Sequence, residues 1–141
     1  MKRQATAEWR GDLKTGKGSL TTDSGALSQA PYSFTTRFES EKGTNPEELV
    51  AAAHAGCFTM ALSAELGKAG LTAESLRTIG TVTLEKQAGG WEVGESHLEL
   101  VAKIPGASED AFRQAAETAK TNCPMSKLLK AKITLDARLE K

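Results

Sequence analysis

The chain has 141 residues, the length of one domain, and its 39% hydrophobic and 26% charged residues suit a globular protein, not a disordered or collagen-like one. Eighteen basic residues balance eighteen acidic ones, so no whole-protein field draws the molecule to nucleic acid or to an anionic membrane surface. No apolar run follows the basic start Met1-Lys2-Arg3, so no secretory signal is read. The two cysteines fit a cytoplasmic protein whose thiols stay reduced better than a permanent bridge.

The first forty residues read as strands. Residues 4–10 alternate, residues 16–22 follow a glycine-rich turn, and residues 32–38 carry aromatic and β-branched side chains after Pro31. These segments predict an antiparallel meander over residues 1–40. A long helix over residues 45–67 then opens with Asn45 as N-cap, Pro46 at its first position and Glu48 completing an Asn-x-x-Glu capping box. Its middle is apolar nearly all round and rich in alanine, which places it in the interior. His54, Thr59, Ser63 and Glu65 interrupt it, so it reads as a buried helix and not as a membrane span.

Residues 77–86 and 91–104 predict a hairpin joined at Gly89-Gly90. Ser108 caps a helix to about residue 121 that presents Phe112, Ala115, Ala116 and Ala119 on one face. A short helix begins at Cys123-Pro124, and residues 132–139 alternate as a closing strand. Helices are segregated from antiparallel strands, the pattern of an α+β fold, and with no linker or repeat the whole of 1–141 reads as one domain, its hairpin, helices and strand filling residues 75–141.

Neither cysteine declares its role from context alone. Cys57 lies mid-helix among Ala53, Phe58, Met60 and Ala61, where apolar burial disfavours a thiolate. Cys123 stands at a helix start, where the macrodipole favours one, so helix electrostatics would name it the more reactive thiol. By pattern, Arg37 is a solvated residue on a strand, and Glu47 is a first-turn acid contributing a few tenths of a kcal/mol. His54 lies three residues from Cys57 on the same helix face. It either supports the Cys57 thiolate when protonated or is packed and hydrogen-bonded, and the second is expected. His97 is read as a strand residue without chemistry, and Trp9 and Trp91 as packing residues.

Gly43-Thr44-Asn45-Pro46-Glu47-Glu48-Leu49 runs into Ala51-Ala52-Ala53-His54-Ala55-Gly56-Cys57-Phe58, and Asn122-Cys123-Pro124 and Lys130-Ala131-Lys132-Ile133-Thr134-Leu135 follow. Together these segments resemble the OsmC/Ohr family of osmotically inducible and organic hydroperoxide resistance proteins. Pro31-Tyr32-Ser33-Phe34-Thr35-Thr36-Arg37-Phe38 resembles the OsmC branch.

The resemblance implies an intertwined homodimer with antiparallel sheets wrapped around long central helices, and peroxidase activity toward alkyl and lipid hydroperoxides. It implies that Cys57 is the peroxidatic thiol and Cys123 the resolving thiol, and that Arg37 and Glu47 are the pair that activates the thiolate. The Ohr branch draws its arginine from an N-terminal segment, so Arg37 follows the OsmC branch. An external dithiol, which the family suggests is a lipoyl protein, restores the thiols, and no metal, flavin or haem is required.

The chemistry fits those residue types. Only a thiolate cleaves a peroxide, and a guanidinium, permanently charged and carrying five donors, stabilises both that thiolate and the departing alkoxide. Ten residues of helix place Glu47 roughly 15 Å along the axis from Cys57, so the two are expected to meet across a dimer interface. Two rival readings remain: a metal site built from Cys57, Cys123 and a histidine, and a redox sensor without turnover.

Overall fold

A computed structural model describes all residues, Met1–Lys141. The chain divides into two compact units, Met1–Leu49 and Val50–Lys141.

In the first unit, β1 (Ala5–Arg10), β2 (Lys17–Thr22) and β3 (Ala30–Tyr32) form an antiparallel meander in that order. The turn between β1 and β2 is tied by Asp12, whose carboxylate accepts the N–H groups of Lys14 and Thr15 at 2.9 Å. The strand expected over 32–38 is absent. Tyr32 ends β3, and Phe34–Phe38 forms a short helix, α1. Its cause is a reciprocal cap: Thr36 N–H donates to Ser33 Oγ at 3.2 Å, and Ser33 N–H donates to Thr36 Oγ1 at 2.8 Å. The cap outweighs the β-branched and aromatic composition that reads as strand.

The second unit holds most of α2 (Pro46–Lys68), then β4 (Ser75–Gln87), β5 (Gly90–Lys103), α3 (Glu109–Asn122), α4 (Pro124–Leu128) and β6 (Lys132–Glu140). β4 and β5 form the expected hairpin, but β6 runs parallel to β5. The second sheet is therefore mixed, where an antiparallel one was expected. The reason is topological: α3 and α4 carry the chain back along the sheet, and a helical crossover delivers a parallel strand.

Burial in this unit follows from periodicity. α2 buries His54, Phe58, Leu62 and Leu66, one residue every four. The last three meet Leu98, Leu100 and Ala102, alternate residues of β5, and Phe112, Ala115, Ala116 and Ala119 of α3. Gly80 lets β4 approach the helix, because a Cβ there would lie 2.8 Å from the Ala51 carbonyl oxygen. α2 was expected to be buried all round, but Ala52, Ala53, Gly56, Met60, Ser63 and Ala64 are exposed. One sheet covers only one side of a helix. By length and composition alone α2, with a mean hydropathy of 1.4, is apolar enough to cross a membrane. Trp91, expected to pack, is 57% exposed near the start of β5.

Candidate active site

The first unit builds an ion pair. Arg37 lies in the last turn of α1 and not on a strand, and its fork grips Glu47 at the start of α2. Arg37 Nη2 donates to Glu47 Oε1 at 2.7 Å, and Nε donates to Oε1 at 3.1 Å and Oε2 at 3.3 Å. The pairing explains why Glu47 rather than Glu48 is the distinctive acid: the Glu48 carboxylate accepts only from Thr44 Oγ1, at 3.2 Å. Half of the expected capping box is seen there, with Glu48 N–H donating to Asn45 Oδ1 at 2.8 Å.

Several contacts hold α1 against the start of α2. Buried Thr36 donates its hydroxyl to the Thr44 carbonyl at 3.0 Å, and Asn45 Nδ2 donates to the Thr36 carbonyl at 3.4 Å. Arg37 also lies over the Phe38 ring, 5.3 Å from its centre. Beside the guanidinium is a mainly apolar hollow of about 290 Å³, lined by Trp9, Tyr32, Phe34 and Phe38 among others. Trp9, expected to pack, sets its ring against Tyr32 at 5.4 Å but stays 37% exposed.

The second unit brings the two cysteines together. Both are free, and Cys123 is a neighbour of Cys57, near enough to act on its ionisation. Cys57 is partly buried on α2, whereas Cys123, at the junction of α3 and α4, is fully buried. Cys123 acts as the N-cap of α4: its sulfur accepts the Ser126 N–H at 3.3 Å. Burial pushes the Cys57 thiol above its ordinary pKa; the Met125 N–H, donating to its sulfur, opposes this, and neighbouring Cys123 adds to the rise. Within Val50–Lys141 no cation acts on that sulfur.

His54 takes the packed role of its two expected ones. It is fully buried, and its ring nitrogens meet Ser96 Oγ at 2.6 Å and Ser126 Oγ at 2.8 Å. Burial lowers its pKa, so the imidazole is neutral and lends Cys57 no positive charge. Ser96 and Ser126 were not singled out in the sequence. The available signal was Cys123-Pro-Met-Ser126, an N-cap with a hydroxyl residue three positions on. His97 bonds Thr134 Oγ1 at 2.6 Å, and no three His, Cys, Asp or Glu side chains are grouped to hold a metal ion.

Comparison with known proteins gives the family of the chain. Residues 39–138 match the family described as OsmC-like protein. The chain is 49% identical over 138 residues to peroxiredoxin OsmC of Escherichia coli (strain K12), covering 98% of this chain and 96% of that protein. It is 30% identical over 125 residues to organic hydroperoxide resistance protein OhrB of Bacillus subtilis (strain 168), covering 87% of this chain and 88% of that one. The crystal structure of Bacillus subtilis OhrB aligns with a TM-score of 0.71 at 25% identity, over 96% of this chain and 98% of that one. With nearly its full length matched, in sequence and in an α+β fold of two sheets and helices, the chain belongs to the OsmC family.

Proposed function

We propose that this chain is a cysteine peroxidase that reduces organic hydroperoxides to alcohols. Peroxide reduction is the activity carried in the names of its relatives, peroxiredoxin and organic hydroperoxide resistance protein, and it is the enzyme class of this chain. The observation that carries the finer reading is the pair of neighbouring free thiols, one partly open and one sealed in the core.

In the proposed cycle the Cys57 thiolate attacks the terminal peroxide oxygen. The O–O bond breaks, an alkoxide leaves and takes up a proton, and Cys57 becomes a sulfenic acid. Cys123 then condenses with it, releasing water and forming a disulfide. An external dithiol, such as a lipoyl group, reduces the disulfide by exchange and is itself oxidised. The cycle needs no metal or cofactor. The cytoplasm, which keeps thiols reduced, is the proposed compartment.

The weak point of Cys57 is its ionisation, since burial opposes it and its own unit supplies no cation. Arg37, oriented by Glu47, is the proposed source of charge. Ten residues of continuous helix separate Glu47 from Cys57 by roughly 15 Å of rise. We therefore place Arg37 and Glu47 of one protomer at the Cys57 of its partner, the whole chain acting as one domain of an intertwined homodimer. The exposed small-residue face of α2, with Met60 78% exposed, is the surface a second copy would cover. The aromatic hollow beside Arg37 suits an alkyl tail better than hydrogen peroxide.

The test is consumption of cumene hydroperoxide with a dithiol. Cys57→Ser is expected to abolish turnover, and Cys123→Ser to react once and stall with its sulfenic acid unresolved. Undiminished turnover by Cys57→Ser would overturn the assignment, and a wild type that oxidises once without turning over would be a sensor instead.

A further inference from the structure

His54 has no part in the cycle above, yet the fold has built a polar line around it. Ser96 Oγ lies 2.6 Å from His54 Nδ1, His54 Nε2 lies 2.8 Å from Ser126 Oγ, and Ser126 Oγ lies 3.3 Å from Cys123 Sγ. The four residues come from β5, α2, α4 and the α3–α4 junction. His54, Ser96 and Cys123 are all 0% exposed. His54 occupies the first position of a stripe otherwise filled by Phe58, Leu62 and Leu66, where an apolar side chain would satisfy packing. A buried polar line is retained at the cost of pairing every member, and each member here is paired.

We propose that His54, acting through the Ser126 hydroxyl, accepts the thiol proton of Cys123 in the step that forms the disulfide. The proposal rests on the peroxidase reading above. Cys123 attacks a sulfenic acid only as a thiolate, and a sulfur wholly out of solvent has no water to take its proton. A serine hydroxyl donates and accepts at once, so Ser126 receives the Cys123 proton as it passes its own to Nε2. The tautomer this needs carries its proton on Nδ1, which donates to Ser96 Oγ. Burial keeps the ring neutral and so leaves the Nε2 lone pair available.

The atoms balance. The S–S bond forms as the S–O bond of the Cys57 sulfenic acid breaks, with Cys123 sulfur oxidised and Cys57 sulfur reduced. The proton taken from Cys123 and the departing hydroxide together make the water released. Meanwhile the Ser126 N–H, 3.3 Å from the Cys123 sulfur, holds the anion that forms.

The experiment is a single turnover of the reduced, full-length protein with cumene hydroperoxide and no reductant. Sulfenic acid is trapped with dimedone, and disulfide is counted by loss of alkylatable thiols. His54→Gln and Ser126→Ala are expected to form sulfenic acid at the wild-type rate and to form disulfide at least about tenfold more slowly, given the usual worth of a general base. Ser126→Thr, which keeps the hydroxyl, is expected to recover most of the rate. Ser126 lies on a short, partly exposed helix, so Ser126→Ala tests the idea even if His54→Gln fails to fold. Disulfide formation at the wild-type rate in Ser126→Ala, equal slowing of both steps, or Ser126→Thr as slow as Ser126→Ala would each overturn the relay. A wild type that forms neither sulfenic acid nor disulfide would instead sink the peroxidase reading itself.

Discussion

At the scale of single residues, chemistry here is a matter of where charge is permitted. His54 is wholly enclosed, and its pKa is lowered from the ordinary value of 6.5 by burial. Between that lowered value and 6.5 the unfolded chain binds a proton that the folded chain refuses. Stability is therefore full above pH 6.5 and is lost as the pH falls below it. Thermal melts from about pH 8 to about pH 5 are expected to show this decline, and His54→Gln is expected to lose that part of the slope. Cys57 presents the opposite case, a thiol pushed upward by burial. If Arg37 restores its thiolate, Arg37→Gln should shift the ionisation of Cys57 toward alkaline pH, read by the ultraviolet absorbance of the thiolate. An unchanged titration would remove Arg37 from the mechanism.

At the scale of elements, the short helix α1 decides where Arg37 points. Its five residues are too few to be stable on propensity, so the Ser33–Thr36 cap carries it. Ser33→Ala is expected to cost about 1 kcal/mol of folding stability by denaturant titration. Peroxidase turnover should fall further than that loss explains, because α1 would fray and release Arg37 from Glu47. Gly43 tightens the same knot: a Cβ there would meet Thr36 Cγ2 at 2.6 Å and the Pro31 carbonyl oxygen at 3.0 Å. In the second unit the close approach is at Gly80, where Gly80→Val would drive side-chain atoms into the α2 backbone near Ala51. Overpacking of that kind costs roughly 1–3 kcal/mol. Gly89→Ala in the hairpin turn has nothing within 4 Å of the new Cβ and should stay within about 0.5 kcal/mol of wild type.

At the scale of the whole molecule, the proposal depends on a second copy. α2 hides one face in its own unit and leaves a face of alanine, glycine and Met60 uncovered. Sedimentation is expected to show a dimer. Sites shared between protomers make a sharper prediction. Cys57→Ser and Glu47→Gln, each expected to be impaired alone, should recover activity when mixed and refolded, because each heterodimer holds one intact site. Sites confined to one chain would give no recovery.

The sequence by itself determined much of this protein. Helix caps, the glycine turn, alternation and 3.6-residue periodicity are local patterns, and between them they located α2, α3, the hairpin and β6 near their observed bounds. Asn45-Pro46-Glu47, Cys57 and Cys123-Pro124 sufficed for the resemblance to the OsmC/Ohr family. The segment 33–38 was misread because a two-residue hydrogen-bonded cap overrode strand-like composition. Only tertiary structure could decide the direction of β6, the Arg37–Glu47 fork and the line from Ser96 through His54 and Ser126 to Cys123. The strand direction is set by a crossover, and the side-chain pairings join separate elements, where hydrogen-bond chemistry, unlike a helix cap or hydrophobic periodicity, leaves no regular spacing along a sequence to be read.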